Sequence, residues 1–135
     1  MSALALNELQ QALYAKLSGD GVLMGMISGL YDVVPQETAL PYVILGDGAT
    51  QGEASDADVS RCTLSLDVWT DAGGRKQALT ILDRIYGLLH LGTLSLSGYD
   101  LLLMRCEKAQ TSLAEEGTRL HGTLSVLVLV AGSPS

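Results

Sequence analysis

The sequence contains no phenylalanine, one tryptophan and five tyrosines, so aromatic residues are too few to form its hydrophobic core. Apolar residues still make up 47% of the 135 residues, which is enough for one sizeable core of leucine, valine and isoleucine. Charged residues account for only 17%, and no long run of charge predicts disorder. We therefore predict a single folded domain over residues 1–131 and a short flexible tail over residues 132–135.

Basic residues are also scarce. Eight lysines and arginines stand against fifteen acidic residues, and the formal net charge is −7. The basic residues are scattered, whereas a protein that grips nucleic acid needs clustered lysine and arginine to contact phosphates. An acidic surface remains compatible with a passage through which DNA slides without binding.

The two cysteines, Cys62 and Cys106, are too few for a disulfide framework, and both fall within strand patterns. We interpret them as reduced core thiols of a protein made in a cytoplasm, with a disulfide as the alternative. The N-terminus lacks a basic segment followed by a long apolar run, so no signal peptide is expected. No apolar stretch approaches the roughly 20 residues of a membrane span, so no membrane association is expected.

Residues 61–90 carry the clearest structural pattern. Apolar and polar residues alternate from Arg61 to Val68, which is the period of a strand with one buried face. After Gly73 and Gly74, apolar residues recur at three- and four-residue steps typical of a helix: Ala78, Ile81, Leu82, Ile85, Leu88 and Leu89. The pattern predicts a strand, a tight turn and a helix whose apolar sides bury each other.

The remaining segments supply one more long helix and several strands. A leucine stripe predicts the helix from Ser2 to about Leu17. The apolar run at 22–27 predicts one or two helical turns. Strands are predicted at 30–34, 41–46, 99–108 and 118–131, with a short hairpin from Thr93 to Tyr99.

One apolar side of the predicted sheet has nothing to cover it. Residues 124–130 are apolar on both sides of their strand apart from Ser125, and residues 101–104 show the same pattern. Two long helices suffice to cover only one face of the sheet. We therefore expect the other face to pack against a neighbouring subunit.

Two segments are predicted to lie outside this layered body. Residues 47–60, DGATQGEASDADVS, hold four acids and no base, which predicts a long acidic loop. Residues 109–117 join two long strands and predict a projecting β-hairpin. The predicted fold class is α/β (α+β), a mainly antiparallel sheet with two principal helices packed on one face, plus the projecting hairpin and the long acidic loop.

No constellation of residues predicts an enzyme. Neither cysteine is placed beside a histidine that could act as its base. The acids Glu53, Asp56 and Asp58 lack the spacing and turn glycine of a calcium loop. The glycines of residues 46–52 lack the spacing and the following helix of a nucleotide-binding turn. We expect no catalytic residue, no cofactor and no metal.

Several exposed residues suggest contacts between subunits. Arg75 and Lys76 lie in the first turn of the predicted helix, where positive charge opposes the helix macrodipole. We interpret them as a solvated pair; the alternative is a compensating acidic partner, such as the 47–58 segment of an adjacent copy. Trp69 falls on the polar side of its strand, where it would cover the second face of the domain or anchor an interface; we favour core packing over the interface anchor. The predicted interface residues are Asp47, Glu53, Asp56, Asp58, Arg75, Lys76, Leu113, Glu115, Glu116 and Arg119.

Four segments, taken in order, carry a family resemblance: LQQALYAKLSGDGVL, YDVVPQETALPYVILGD, LDVWTDAGGRKQALTILDRIYGLLH and EEGTRLHGTLSVLVLV. Together they resemble the tail terminator (tail-completion) proteins of long, non-contractile-tailed phages and gene transfer agents. The most specific features are the run Pro41-Tyr42-Val43, the pair Val68-Trp69 with its downstream glycine and helix, and the strand with His121-Gly122.

The resemblance implies a homohexameric ring that caps the head-proximal end of the tail tube. Such a ring stops polymerisation of the tail tube protein and contacts head-completion or connector proteins, while DNA passes through its lumen without sequence-specific binding. The resemblance implies a virion protein of the tail, made in the bacterial host cytoplasm, without catalytic residues. The alternatives are a neighbouring head–tail joining protein (a stopper or adaptor) and a small cytoplasmic ligand-binding α/β domain, which would require a polar pocket.

Overall fold

A computed structural model describes residues 2–33, 35, 37–53, 56–96, 98–114 and 117–132, with side chains except at 2–5, 47, 50–53 and 56–58. The helices are α1 (Ser2–Ser18), α2 (Gly21–Met26) and α3 (Arg75–Leu89). The strands are β1 (Leu30–Tyr31), β2 (Tyr42–Glu53), β3 (Asp56–Asp71), β4 (Tyr99–Leu113) and β5 (Arg119–Gly132). They form a five-stranded sheet in the order β1-β2-β3-β5-β4. Only β1 and β2 pair in parallel, so the predicted, mainly antiparallel α+β fold is confirmed.

The two long helices cover the same face of the sheet. The α1 stripe buries Leu9, Leu13 and Leu17, and a Cβ added at Gly48 on β2 would meet the Leu6 side chain at 3.1 Å. The α3 stripe buries five residues: Ala78, Ile81, Leu82, Ile85 and Leu89. These side chains join the even-numbered residues of β3 and β5 in one hydrophobic core. The predicted helices, and their packing on one face, are thus confirmed.

Gly122 lets α3 approach the sheet closely. A Cβ at this position of β5 would lie 3.0 Å from the Leu82 Cδ1 atom of α3. The β5 register against β3 is unbroken from Ala131 to Arg119. Gly122 therefore serves helix packing and does not bend the strand.

The short helix α2 is tied to α3 by an ion pair. Asp20 caps α2 by accepting a hydrogen bond from the Leu23 amide at 2.9 Å, and Arg84 of α3 donates to both Asp20 carboxylate oxygens, at 2.9 and 2.6 Å. The bonds from Arg84, and then the bond from Leu23, lower the pKa of Asp20 below its usual value. The carboxylate in turn raises the pKa of Arg84.

This ion pair makes the stability of the fold sensitive to acid. Because the pKa of Asp20 is lower in the folded state, its stabilisation is present above about pH 4 and is lost as the pH falls through the lowered pKa. We expect Asp20→Asn, which keeps a capping side chain, to be less stable than the wild type at pH 7. The difference should shrink towards pH 2 in urea unfolding followed by circular dichroism. Parallel stability curves for the two proteins across this range would contradict the assignment.

The prediction of a long acidic loop over residues 47–60 is wrong. The backbone of residues 47–53 continues β2 and that of residues 56–60 begins β3, so the segment is a β-hairpin whose ladder ends at the pair Glu53 and Asp56. Backbone hydrogen bonds between β2 and β3 hold this ladder together. It therefore needs no apolar side chains, and the hydrophobic pattern that predicts strands was missing.

The projecting hairpin is also placed differently from the prediction. The segment 109–117 does not form a free arm, because β4 continues to Leu113 and β3 pairs with β5 as far as Arg119. The β2–β3 hairpin extends further, since β5 pairs with β3 only from Val59 onwards and leaves residues 56–58 to β2. The predicted arm is therefore part of the sheet, because the first half of β5 pairs with β3 as well as with β4.

Two smaller predictions, for residues 93–96 and for Gly132, also differ from the structure. The segment 93–96 is not a strand; its Leu94 and Leu96 instead pack against the core as a loop. Gly132, predicted to begin the flexible tail, is the last residue of β5 and pairs with Tyr99. Residues 133–135 of that tail lie outside the described residues.

The second face of the sheet is not the continuous apolar layer that the sequence suggested. Leu127 points to this face but is only 2% exposed, between its cross-strand partners Thr63 and Arg105. Polar residues occupy most of the surrounding positions of β3 and β5, which include Ser65, Asp67, Thr123 and Ser125. The expectation was wrong because the polarity of a sheet face depends on the residues of the adjacent strands as well as on those of the apolar strand itself.

Candidate assembly surface

The face of the sheet opposite the helices carries a cluster of polar and aromatic side chains. Odd-numbered residues of β3 and β5 point to this face, because the even-numbered ones fill the core. The antiparallel register sets Trp69 opposite His121 and Asp67 opposite Thr123. The group, which we call the Trp69 cluster, consists of Tyr42, Asp67, Trp69, Arg119 and His121.

Stacking holds the centre of the Trp69 cluster together. The Trp69 and His121 rings are stacked, with centroids 4.3 Å apart and planes 6° from parallel. The Arg119 guanidinium carbon lies 4.5 Å from the Trp69 ring centroid, and its Nη1 donates to the Tyr42 hydroxyl at 3.3 Å. Aromatic and cation–π contacts of this kind contribute about 0.5–1.5 kcal/mol each. The side chains of the cluster therefore restrain one another outside the aliphatic core.

Asp67 and His121 form the polar side of the cluster but do not form a catalytic triad. His121 Nε2 lies 2.7 Å from Asp67 Oδ1 and 3.2 Å from the Thr123 hydroxyl, which also donates to Asp67 at 3.3 Å. In a hydrolase triad, the imidazole contacts the carboxylate through one nitrogen and the nucleophile through the other. Here the same nitrogen faces both groups, so Asp67 does not orient the imidazole through one nitrogen while the other acts as a base towards Thr123. The arrangement is a hydrogen-bonded support for the stack.

Metal ligands and thiols are the other groups of the described residues that bear on chemistry. The described residues include no cluster of histidine, cysteine, aspartate and glutamate that could hold a metal ion. Both cysteines are buried thiols, as the sequence analysis predicted, and burial raises the pKa of the Cys106 thiol to about 11. At neutral pH that thiol is protonated and is a poor nucleophile. None of the helices in the described part of the chain is long and apolar enough to cross a membrane.

The Asp67 side chain occupies space that a residue larger than glycine would need. A Cβ added at Gly46 of β2 would lie 2.5 Å from Asp67 Oδ2 and 2.6 Å from Ser65 Oγ. We expect Gly46→Ala to displace the carboxylate and to lower the free energy of unfolding by about 1 kcal/mol, measured by urea denaturation. The matched control is Gly87→Ala in α3, where nothing lies within 4 Å. That variant should be neutral or slightly more stable. Equal stability of the Gly46 variant and the wild type would contradict the expected clash.

The match to a protein family decides the kind of protein. Residues 11–131 match the family described as tail completion protein gp17. The chain belongs to this family. The resemblance to tail-completion proteins noted in the sequence is thereby confirmed.

Solved structures agree with membership of the tail completion family. A chain from the virion of a native gene transfer agent particle is 26% identical, with 94% of this chain and 97% of that chain covered and a TM-score of 0.81. The gp17 protein of bacteriophage SPP1 is 23% identical, with 98% and 95% covered and a TM-score of 0.67, which shows a shared fold. No curated protein matches by sequence. As a tail completion protein, the chain is a structural, non-enzymatic component of a virion tail that associates with other virion components.

The predicted basic interface residues lie at the start of α3 on the surface of this tail completion protein. Arg75 and Lys76 are exposed, and Arg75 Nη1 donates to the Thr111 hydroxyl of β4 at 2.9 Å. Arg75 thus reaches β4 without an acidic partner in this contact. Whether an adjacent copy supplies one stays a prediction.

Among the predicted acidic residues that the structure describes, Glu53 and Asp56 form the last pair of the β2–β3 ladder, and Asp47 lies at the bulge of β2. Asp47 and Glu53 belong to β2, and Asp56 and Asp58 belong to β3; only their backbone is described. Leu113 ends β4 and is 55% exposed, while Glu115 and Glu116 lie outside the described residues. Arg119 belongs to the Trp69 cluster. The structure therefore brings Arg119 into a defined group and leaves the other predicted interface residues spread over separate edges.

Sequence reasoning predicted only part of the Trp69 cluster. The structure places Trp69 on the second face of the sheet, which is one of the positions that its sequence pattern allowed, because its odd number directs it away from the aliphatic core. Tyr42 and His121 were noted only as features of the family resemblance, and Asp67 was not predicted as a site residue, because the three come from different strands whose register is not readable from the chain. The available signal was the shared parity of Asp67 and Trp69, two residues of unlike type on the polar side of one strand.

Proposed function

We propose that the chain forms a hexameric ring that caps the head-proximal end of the tail tube, ends tube polymerisation and joins the tail to the head connector. The observation that carries the proposal is family membership over residues 11–131, together with the similarity to a chain of a gene transfer agent virion. The fold supports it, because a sheet backed by helices on one face is a rigid element that leaves its other face, its edges and its hairpins available to partners.

The proposed mechanism is geometric. One end of the ring matches the last layer of tail tube protein, and the other end presents a different surface to which no further tube subunit can add. The connector binds that second surface. The net charge of −7 suits a ring around DNA, because an acidic protein repels phosphates and lets the duplex pass without sequence-specific binding.

The predicted interface residues give this mechanism two candidate contact points. The β2–β3 hairpin, which carries Glu53, Asp56 and Asp58, extends beyond β5 at one end of the sheet. The β4–β5 turn, which follows the exposed Leu113 and precedes Arg119, lies at the opposite end. Contact points at opposite ends of one subunit are what a ring needs if it is to meet the tube on one side and the connector on the other.

Deleting the gene and imaging the particles tests the proposal. Particles made without the chain are expected to comprise heads without tails and tubes of uncontrolled length, and expression of the intact chain should restore joined particles. Labelled chain should be found where the tail meets the head. Label within the connector would instead identify a stopper or adaptor, and joined particles with tails of normal length in the deletion strain would refute the proposal.

Shortening each hairpin separately tests the contact points. Replacement of residues 52–60 by an Asn-Gly turn closes the β2–β3 ladder at the pair Gln51 and Arg61 and removes its end. Replacement of residues 115–118 in the same way shortens the β4–β5 turn and keeps Ala114 opposite Arg119. We expect folded proteins in both cases, with loss of joined particles. Normal particles from both variants would refute these two contacts while leaving the ring itself in place.

A further inference from the structure

The sheet ends on each side in a strand whose outer edge is only half covered. On one side, β1 pairs with β2 at Val43 and Ile44 and no further. From Leu45 to Glu53, no strand among the described residues pairs with the outer edge of β2. A β-bulge between Leu45 and Gly48 separates the covered half from the open half.

The outer edge of β4 has the same construction on the opposite side of the sheet. Its first half is covered by the segment after α3: the Leu91 amide donates to the Met104 carbonyl at 2.8 Å, and His90 Nδ1 accepts from the Cys106 amide at 3.1 Å. A second bulge follows between Cys106 and Lys108. Beyond it, no backbone partner among the described residues occupies the outer edge of 108–113.

Open strand edges normally invite pairing with another chain, and monomeric proteins cover or shorten them. Here the chain covers half of each edge and leaves about six to nine residues open on each. The open segments carry few bulky side chains near the bulges, with Gly46, Gly48 and Ala49 on β2 and Ala109 on β4. A strand from another chain can therefore approach either edge closely.

We propose that neighbouring copies of the chain join by pairing the open half of the β2 edge with the open half of the β4 edge of the next copy. This inference rests on the proposed ring and specifies how the ring closes. The two edges lie on opposite sides of the sheet, so the contact is head-to-tail and closes into a ring when the rotation allows.

The strand directions favour a second copy as the occupant. From β2 through β3 and β5 to β4, every neighbouring pair is antiparallel, so β2 and β4 run in opposite directions. Rotation of a copy about a ring axis therefore brings β4 beside β2 in antiparallel orientation, which continues the alternation of the sheet. Antiparallel pairing is the slightly more stable arrangement per residue.

The charges of the two edges are complementary. The open segment of β2 contains Asp47 and Glu53 and no basic residue. Beside the open segment of β4 lie Lys108, which is exposed, and Arg75, which donates to Thr111. Such a junction also supplies the acidic partner that the position of Arg75 at a helix N-terminus calls for.

The strand register shows which backbone amides of the open segments point away from the sheet. These N–H groups would donate only to the strand of the next copy. On β4, the Cys106 amide points away from β5. Outward-pointing amides alternate along a strand, and the residue inserted between Cys106 and Lys108 shifts them from even to odd positions. The Ala109 amide is therefore the next one that points outward. On β2, the Val43 amide points away from β3 and donates to the Gly29 carbonyl. The residue inserted after Leu45 shifts the outward-pointing amides from odd to even positions, so the Thr50 amide points outward. Proline at either site removes an outward N–H without breaking a bond inside the sheet.

The test compares Ala109→Pro and Thr50→Pro in the full-length chain by native mass spectrometry, with Ala109→Gly and Thr50→Gly as matched controls that keep the N–H. Each proline is expected to weaken its junction by about tenfold or more, while the glycine variants form rings like the wild type. A mixture of the two proline variants should yield dimers, because one intact β2 edge meets one intact β4 edge. Thermal unfolding confirms that all four variants are folded.

The outcomes separate this inference from the proposed function. If folded proline variants form rings as the wild type does, or if one proline variant alone forms dimers, edge pairing is refuted and the ring stands. If the wild type assembles only on the tube, the same variants are scored by their amount in purified particles, where wild-type levels of both proline variants refute edge pairing. Absence of the wild-type chain from the tail end refutes the proposed function itself.

Discussion

Replacing Leu124 by alanine is expected to lower the free energy of unfolding by about 3 kcal/mol, which is the largest effect that we predict for a single substitution. Leu124 lies in the central strand β5, is 1% exposed and stands opposite Leu66, which is fully buried. With no phenylalanine in the sequence, the core depends on many aliphatic contacts, and removal of three carbon atoms from its centre leaves a cavity. Urea denaturation followed by circular dichroism measures the change.

The control for this prediction is the same substitution at an exposed leucine in a strand. Leu102 of β4 is 53% exposed and lies at a bulge, so Leu102→Ala should change the free energy of unfolding by about 0.5 kcal/mol or less. If the two variants lose similar amounts of stability, the core is not where the packing places it.

Replacing Trp69 by alanine is expected to cost about 2 kcal/mol even though the residue lies outside the aliphatic core. The substitution removes the stack on His121 and the surface beneath Arg119 together. Tyr86→Ala is the matched control, because Tyr86 also stacks on a histidine, at 4.6 Å from His90, but has no arginine over its ring and is 42% exposed. We expect the Tyr86 variant to lose about 1 kcal/mol or less in the same denaturation assay.

A double-mutant cycle isolates the contact between the two rings. If Trp69 and His121 interact as their geometry indicates, the losses in Trp69→Ala and His121→Ala should be non-additive by about 1 kcal/mol. A coupling energy near zero would show that the stack contributes nothing and that any loss in the single variant comes from other contacts of Trp69. The cycle thus tests the centre of the cluster independently of the proposed assembly.

The helices and the inner strands could be predicted because their burial is periodic. The leucine stripe of α1 and the apolar steps of α3 match the 3.6-residue period, and the alternation from Arg61 to Val68 matches a strand with one buried face. Every one of these patterns arises because one side of the element meets the core. In residues 47–60, which backbone pairing holds in the sheet, the periodic signal is absent and the hairpin has the composition of a loop.

The Trp69 cluster could not be predicted for a different reason. It depends on which residues of β2, β3 and β5 stand opposite one another, and a one-residue slip in register would separate Trp69 from His121 by moving one of them to the core face. The bulge beside Gly46, which brings that glycine against Asp67, is likewise set by pairing between strands.

The amino-acid sequence by itself determined the aliphatic core, the two long helices, the α+β class and the family, because these depend on residue type and on spacing along the chain. Only the tertiary structure decided that the acidic segment is a hairpin, that the second face is polar and carries the Trp69 cluster, and that both outer strands are half covered. Those features depend on backbone hydrogen bonds between distant segments. Every residue type accepts such bonds and every type except proline donates them, so the order of side chains does not record them.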